Sequence, residues 1–352
     1  MRLVPSTLRT PHSIARGLAA GLFMALTLSS AQPVSAATGG SQQEAGIQAL
    51  TKAHSAVVGV EVQAVPGSRS AESLGTRRSG SGVVIGPDGL VLTIGYLMLE
   101  AENIQVVTQD NRTVPARAVA YDLATGFGLL RPLTPLRGIA PVPLGAIADV
   151  REGESLMTAT GGDGGDVAMT MAVSKRAFSG YWEYHIDSAL FTSPPIQNHS
   201  GAPVFNQRGE LLGIGSLFVG DASGQGRRMP GNMFVPVDLL KPILAELQQT
   251  GSTAKSRRPW LGLTSTEQGG RVQVVRTNKG SPAEASGLKA GDVVLAVDGT
   301  RVASLEEFYK KLWESPSPDA EVKLTVLQGA DLRNIVIKAV DRMNTMARPA
   351  GI

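Results

Sequence analysis

The sequence predicts a mainly β fold in two folded units, on three observations. Gly (41 residues) and Pro (21) are frequent in the 352-residue chain, which is typical of many turns between short strands. From Ser55 to Pro236, short apolar runs are separated by Gly, Pro, Asp and Asn at a spacing that favours a barrel or sandwich. Beyond Arg258, strand patterns surround one capped helix, which indicates a smaller α+β unit.

The N-terminal segment has the pattern of an export signal. Arg2, Arg9 and Arg16 precede a short apolar run, Gly17–Leu28, and a small-residue cleavage pattern ends at Ala36. The apolar run is shorter than the roughly 20 residues that a bilayer core requires. We therefore expect residues 1–36 to be a signal peptide cleaved after Ala36 and the mature protein to be periplasmic. An uncleaved membrane anchor is the alternative.

Charge and composition exclude several classes of function. The formal net charge is +3, and the segment ending at Ala36 holds three Arg and no acidic residue, so the mature chain is neutral. A neutral chain without a Lys/Arg-rich run predicts no nucleic-acid partner and, after signal removal, no stable membrane insertion. The chain has no Cys, and Gly161–Gly165 lacks the Lys-Ser/Thr of a phosphate loop. We expect no cofactor and no metal.

The strand runs and their breaks define the domain boundaries. The first unit spans residues 37–250 and ends in a helical pattern, Val237–Gln249. Residues 251–258 are polar and indicate a linker, and residues 343–352 indicate a tail. The runs that indicate strands in the first unit include Gly82–Ile85, Leu90–Thr93, Ile104–Thr108, Ala116–Tyr121, Gly153–Ala159 and Leu211–Phe218.

The second unit, residues 259–342, carries two local signals. Asp298 and Gly299 lie between two short apolar runs, which predicts a tight hairpin. Ser304 and Glu307 form a capping box before a helix, whose spacing places Phe308 and Leu312 on one face.

Several stretches of the first unit, taken in order, resemble the HtrA/DegP-type serine proteases. The stretches are Gly80–Thr93 (GSGVVIGPDGLVLT), Tyr121–Leu130 (YDLATGFGLL), Leu144–Gly162, Asn198–Pro203 (NHSGAP) and Met233–Pro236 (MFVP). The resemblance implies a chymotrypsin-like double β-barrel with the active site between the barrels. It also implies serine endopeptidase activity in envelope protein quality control.

The resemblance shows where this chain departs from the family pattern. The family's catalytic His corresponds to Tyr96, its catalytic Asp to Gly126 and its nucleophile to Ser200. Two glycines of the family's nucleophile loop correspond to Asn198 and Ala202. The oxyanion hole that the resemblance implies would use the backbone N–H groups of Asn198 and Ser200.

These departures remove the chemistry that activates a serine. A Ser hydroxyl needs a base, and the Tyr96 phenol, with an ordinary pKa near 10, is protonated at neutral pH. Gly126 has no side chain to orient a base. The remaining candidate bases are His199, His185 and His54. We interpret His199 as a turn residue, His185 as a half-buried aromatic-like residue and His54 as a solvated residue. Ser200 itself is then a small polar residue inherited from an active ancestor.

The second unit resembles a PDZ domain. The segment Arg258–Leu263 (RPWLGL) is similar to the family's carboxylate-binding loop, and Gly280–Val294 (GSPAEASGLKAGDVV) matches a further family segment closely. A peptide would add as a strand alongside Leu263–Glu267, its carboxylate held by backbone N–H groups. The peptide-binding residues implied are Trp260, Leu261, Gly262, Leu263, Phe308 and Leu312, the last two serving as pocket or as core.

Three functions remain open. The first is an exported pseudoprotease that binds unfolded polypeptides or protein C-termini, alone, as a homo-oligomer or with an active homologue. The second is an active serine endopeptidase with a non-standard base. The third is a non-enzymatic structural envelope protein. The missing His and Asp favour the first over the second, and the carboxylate loop favours the first over the third.

Overall fold

In a computed structural model, the structure describes residues 36–162 and 165–347. The predicted signal peptide lies outside the described residues, except for Ala36. The first element, α1, is Ala36–Ser55 and begins at the predicted cleavage site. From Gln42 onward the described residues form one compact body. No helix in the described part of the chain is long and apolar enough to cross a membrane.

The first barrel is closed, with strand order β1-β2-β3-β6-β5-β4. Its strands are antiparallel, and their inward side chains form a buried core with Phe127 and Leu129 at its centre. Burial along these strands is uneven: residues 103–106 of β4 alternate between exposed and buried, whereas all four residues of β3 are buried. The strands are β1 (Val57–Ala64), β2 (Arg77–Val84), β3 (Val91–Ile94), β4 (Ala101–Val107), β5 (Thr113–Tyr121) and β6 (Phe127–Pro132), with a short helix, α2 (Ala71–Leu74), between β1 and β2.

The second barrel repeats this closed form, with strand order β10-β11-β12-β9-β8-β7. The long hairpin of β8 and β9 turns at Tyr181–Glu183, a turn that matters for the site. The strands are β7 (Ser155–Ala159), β8 (Val167–Gly180), β9 (Tyr184–Ser193), β10 (Pro203–Phe205), β11 (Leu211–Val219) and β12 (Gly231–Pro236). The double β-barrel predicted from the sequence is therefore confirmed.

The helix after the barrels is shorter than predicted. Residues from Val237 to Ile243 form turns, and α3 is Leu244–Thr250. Pro242 explains the late start, because it has no N–H to donate and disfavours helical backbone in the residue before it.

The predicted linker, 251–258, is ordered and partly buried. It forms a 3-10 helix at Ala254–Ser256 and is fixed to the first barrel by the buried carboxylate of Asp122. That carboxylate accepts hydrogen bonds from the Thr253 hydroxyl at 2.5 Å and from the Ser256 hydroxyl. The polar composition that predicts a linker is compatible with this packing, because polar residues also satisfy a buried carboxylate.

The second unit is an α+β domain with its own core. Phe308 and Tyr309 are fully buried in it. A β14-β15-β16-β18-β19 sheet packs on the last helix, and β13 pairs separately with β20. The elements are β13 (Pro259–Trp260), β14 (Leu263–Glu267), β15 (Val272–Thr277), α4 (Pro282–Ala285), β16 (Val293–Val297), β17 (Thr300–Arg301), α5 (Leu305–Leu312), β18 (Glu321–Gln328), β19 (Asp331–Lys338) and β20 (Val340–Asp341).

Both local signals of this unit are confirmed. The hairpin turn has positive φ at Asp298 (47°) and Gly299 (79°), as the predicted tight turn requires. At α5 the Ser304 hydroxyl accepts a hydrogen bond from the Glu307 amide at 3.1 Å. The predicted tail begins as a 3-10 helix, Arg342–Thr345.

We expect Gly201→Ala to destabilise the protein more than Gly138→Ala. Both glycines have positive φ (75° and 80°), which costs an Ala about 1–2 kcal/mol. A Cβ at Gly201 would also overlap the Ser81 carbonyl oxygen, whereas nothing lies within 4 Å of one at Gly138. Urea unfolding should show an additional loss of at least about 1 kcal/mol for Gly201→Ala. Equal losses would mean that the loop after Ser200 does not pack closely on β2.

Candidate active site and peptide site

The loop that carries Ser200 is fixed between the two barrels. The Ser200 carbonyl oxygen accepts a hydrogen bond from the Ser81 amide at 2.8 Å, and the Gly201 amide donates to the Gly215 carbonyl at 2.8 Å. A Cβ at Gly80 would lie 2.5 Å from the Ser200 carbonyl oxygen, so the GSG segment of β2 allows this close approach. The structure thus brings Ser200 to the place that the resemblance implies.

Tyr96 faces Ser200 directly. Its hydroxyl donates to Ser200 Oγ at 2.8 Å, with the Ser216 carbonyl oxygen as a second acceptor at 3.1 Å. Burial raises the pKa of the Tyr96 phenol above its ordinary value, and the hydrogen bond with Ser200 opposes that rise. A phenol that donates its proton to Oγ is not a base for the Oγ proton.

Arg78 holds the segment on which Tyr96 lies. The 3-10 helix Gly95–Met98 follows β3, and the buried Arg78 guanidinium donates to the carbonyl oxygens of Tyr96 at 3.2 Å and Leu99 at 2.7 Å. The Arg78 side chain also donates to the Ser70 hydroxyl at 2.6 Å. Tyr96 is therefore positioned by backbone contacts that do not depend on its own side chain.

Gly126 lies near Tyr96 with backbone that disfavours any side chain. Its φ is 87°, and its amide donates to the Asp122 carbonyl at 2.7 Å. A Cβ there would lie 3.5 Å from the hydroxyl oxygen of Tyr184, which donates to the Thr125 carbonyl at 2.6 Å. The Asp122 carboxylate is engaged by Thr125 and the 251–258 segment, so it does not reach Ser200.

None of the three His residues in the described part of the chain contacts Ser200 Oγ by a hydrogen bond. His199 Nδ1 lies 3.0 Å from the Gln197 carbonyl oxygen, and burial lowers the pKa of the His199 imidazole. His185 is buried, with Nδ1 2.9 Å from the Ser179 hydroxyl and Nε2 3.2 Å from Asp187. His54, expected to be solvated, is instead half-buried, and its Nε2 atom is covered.

The proposed oxyanion donors have no competing partner. Within the described residues, neither the Asn198 nor the Ser200 backbone amide has a hydrogen-bond acceptor. Asn198 does not adopt a positive φ; in the loop Asn198–Ala202 that conformation occurs at Gly201. Ala202 is fully buried.

The predicted carboxylate loop of the second unit holds a carboxylate from the same chain. Glu183, at the β8–β9 turn, accepts hydrogen bonds from the Leu263 amide at 2.7 Å and the Leu261 amide at 3.1 Å. Glu183 is buried, with only 4% of its surface exposed to solvent. Burial raises the pKa of its carboxyl to about 6, while the two backbone amides act in the opposite direction.

The other predicted peptide-site residues have structural roles in this arrangement. Gly262 has a φ of 81°, and a Cβ there would overlap Ser281. Phe308 and Leu312 are buried in the domain core, and the neighbouring Tyr309 contacts the β8–β9 turn, donating from its hydroxyl to the Gly180 carbonyl at 2.7 Å. Trp260 is 8% exposed and lines the cavity between the barrels and this domain.

One cavity joins the two sites. It has a volume of about 460 Å³, and its wall includes Tyr96 and Ser200 at one end and Glu183 and Leu263 at the other. The β8–β9 turn, Tyr181–Glu183, therefore lines the same cavity as the Ser200 loop and Leu263.

A further contact between barrel and domain is an ion pair. Lys310 of α5 binds the Asp187 carboxylate at 2.8 Å and the Glu306 carboxylate at 2.7 Å. The side chain of Asp187 is 81% exposed, so this ion pair contributes little to stability.

Glu183, Tyr184 and Tyr309 are the site residues that sequence reasoning missed. Their contacts join positions far apart in the chain, such as Glu183 with Leu263, and no local pattern marks such a pair. The one local signal is the aromatic turn around Glu183, and in the sequence that turn draws attention to His185 instead.

Two closed barrels around the Ser200 loop, followed by a domain with a carboxylate loop, define a trypsin-like peptidase domain joined to a PDZ domain. Residues 80–214 match the trypsin-like peptidase domain family, and residues 259–339 match the PDZ domain family. The chain is homologous to the DegP/HtrA proteases.

Two relatives illustrate the homology. The chain is 27% identical to the "Probable periplasmic serine endoprotease DegP-like" of Halomonas elongata, over 75% of this chain and 57% of that protein. It is 29% identical to "Protease Do-like 1, chloroplastic" of Arabidopsis thaliana, over 71% of this chain and 61% of that protein. The chain thus spans little more than half the length of these relatives.

Solved structures share the fold. The HtrA-type protease AlgW with decapeptide has a TM-score of 0.51 at 19% identity, covering 86% of this chain and 99% of that one. The serine endoprotease from Yersinia pestis has a TM-score of 0.51 at 23% identity, covering 84% of this chain and 97% of that one. At these identities the likeness concerns the fold alone.

We expect the purified protein to leave labelled casein uncleaved at pH 7–8. Among the described residues, no His, Asp or Glu side chain forms a hydrogen bond with Ser200 Oγ, and loss of triad members costs several powers of ten in rate. Wild type, Ser200→Ala and Tyr96→Phe should be indistinguishable from a buffer control. Cleavage by wild type that disappears in Ser200→Ala would contradict this expectation and would identify a base that the structure does not place at Oγ.

We expect the stability of wild type relative to Glu183→Gln to fall as pH rises. The pKa of Glu183 is raised in the folded state from 4.5 to about 6, so its contribution is fully present below about pH 4.5 and is lost as pH rises through 6. The difference in unfolding free energy should decrease by about 2 kcal/mol between pH 4 and pH 7.5. The measurement is urea unfolding at several pH values. A difference that instead grows with pH would show that the backbone amides stabilise the charged carboxylate by more than burial destabilises it.

Proposed function

We propose that this chain is an exported, proteolytically inactive DegP/HtrA homologue that binds the C-termini of polypeptides through its PDZ domain. One observation carries the binding function: the amides of Leu261 and Leu263 hold a carboxylate at 3.1 and 2.7 Å. A loop that presents two converging N–H groups to a carboxylate has the geometry with which a peptide terminus is captured.

The site around Ser200 supports the absence of proteolysis. Hydrolysis of a peptide bond by a serine requires a base at Oγ and a group that orients this base. Here a phenol donates to Oγ at 2.8 Å, and Gly126 offers no side chain. The oxyanion donors and the cavity could hold an extended segment without cleaving it.

Export is supported by the N-terminal signal pattern and by relatives. The Halomonas elongata and Hahella chejuensis relatives are named periplasmic serine endoproteases. A periplasmic, inactive homologue would act on unfolded chains as a holdase or as an adaptor in protein quality control. The HtrA-type protease AlgW, which shares the fold, holds a decapeptide in its solved structure, and this supports a peptide as the kind of ligand.

A peptide with a free apolar C-terminus should bind the full mature chain more tightly than the same peptide amidated at its C-terminus. Amidation removes the anion that the Leu261 and Leu263 amides would hold, and hydrogen bonds to charged groups are worth about 1.5–3 kcal/mol. We therefore expect at least a tenfold weaker affinity for the amide by calorimetry. Equal affinities would rule out carboxylate capture as the binding mode.

A further inference from the structure

We propose that the β8–β9 turn is an internal ligand of the PDZ domain, which C-terminal peptides must displace to bind. The inference rests on the proposed function, because it concerns occupancy of the same carboxylate loop. In the turn, Tyr181–Glu183, the Glu183 side chain takes the place of a peptide's terminal carboxylate. The PDZ domain is then closed by its own chain and opens by competition.

The first support is the burial of the Glu183 carboxylate. A buried carboxylate is costly unless polar groups compensate it. No salt bridge among the described side chains reaches Glu183, and the Leu261 and Leu263 amides are its hydrogen-bond donors. The charges near it, Arg258 and Arg342, act at longer range. The site therefore fits a carboxylate through backbone amides, as it would fit a peptide terminus.

The second support is the register of the turn on β14. The Ser265 amide donates to the Tyr181 carbonyl at 2.9 Å, while the Leu263 amide donates to Glu183. Moving two residues forward along β14 thus corresponds to moving two residues backward along the turn. This is the antiparallel register of an added strand whose last residue presents its carboxylate to the loop.

The third support is the backbone of Glu183. Its φ is 59°, which is uncommon for a residue other than Gly. The Glu183 amide donates to the Tyr309 hydroxyl at 3.3 Å, and that hydroxyl donates to the Gly180 carbonyl at 2.7 Å. Strained backbone persists where surrounding contacts stabilise it, and here those contacts come from the PDZ domain.

These contacts make docking of the turn and binding of a peptide mutually exclusive. The Leu261 and Leu263 amides cannot hold the Glu183 carboxylate and a peptide's terminal carboxylate at the same time. The free edge of β14 can likewise pair with only one strand, either the turn or the peptide. The turn is tethered to the domain with which it competes for the site. The measured affinity for a peptide is therefore the intrinsic affinity multiplied by the fraction of molecules in which the turn is undocked. Tyr184 follows the turn and holds the Thr125 carbonyl beside Gly126, so displacement would reach the wall of the Ser200 cavity.

The test compares peptide affinities of the full mature chain and two variants at pH 7.5. Glu183→Ala removes the internal carboxylate, and we expect it to bind the free-acid peptide at least tenfold more tightly than wild type. Asp187→Asn is the matched control, because it removes the Lys310 ion pair between barrel and PDZ domain without touching the loop. We expect its affinity to equal that of wild type.

The outcomes separate the two proposals. Acid-specific binding of equal strength in wild type and Glu183→Ala would overturn the internal ligand and leave the proposed function standing. Equal binding of acid and amide by Glu183→Ala would overturn the proposed function itself. Tighter binding in Asp187→Asn as well would show general loosening of the interface instead of competition at the loop, and would also overturn the internal ligand.

A second measurement does not depend on the folding of a variant. In wild type, saturating free-acid peptide should speed hydrogen exchange in residues 180–185, as the turn is released. The Leu261, Leu263 and Ser265 amides should stay protected, because one acceptor replaces another. Unchanged hydrogen exchange in residues 180–185 at saturating peptide would overturn the proposal. For the affinity comparison, Glu183→Gln provides a further variant, whose side-chain volume is nearly unchanged.

Discussion

The buried carboxylate of Glu183 is the interaction on which the arrangement of barrels and PDZ domain depends. It is held by two backbone amides of the PDZ domain, and burial of an acid is stable only while such donors are present. The turn that carries it also places Tyr184 against Thr125 and contacts Tyr309. One charged group therefore links the carboxylate loop, the Ser200 cavity and the domain interface.

The segment between the domains adds a second constraint. Asp122 binds Thr253 and Ser256, and Arg258 stacks on Trp313 with 3.4 Å between its guanidinium carbon and the ring centre. Burial lowers the pKa of Arg258 to about 10, so it remains charged at neutral pH. The PDZ domain is thus joined to the barrels by a packed segment rather than a flexible tether, which is the condition for docking of the turn in a fixed register.

Contacts of the backbone hold the loop that carries Ser200 in place. The close packing of Gly80 and Gly201 depends on backbone alone, and Arg78 fixes the segment of Tyr96 through carbonyl groups. Neither contact requires an imidazole or a carboxylate. The loop geometry is therefore compatible with Tyr96 and Gly126 at these positions, and the Tyr96 hydroxyl donates a hydrogen bond to Ser200 Oγ.

The sequence by itself determined the double barrel, the PDZ domain, the α5 cap, the Asp298 hairpin and the positions of Tyr96, Gly126 and Ser200. The α5 cap and the hairpin follow from helix-capping and turn chemistry in neighbouring residues. The double barrel, the PDZ domain and the three positions follow from short motifs that resemble those of the HtrA/DegP-type proteases and of PDZ domains. Only the tertiary structure decided that residues 251–258 are packed and that Glu183 occupies the carboxylate loop. Those features depend on which polar groups meet across the fold, and a buried carboxylate and its donors carry no signal in the sequence around either partner.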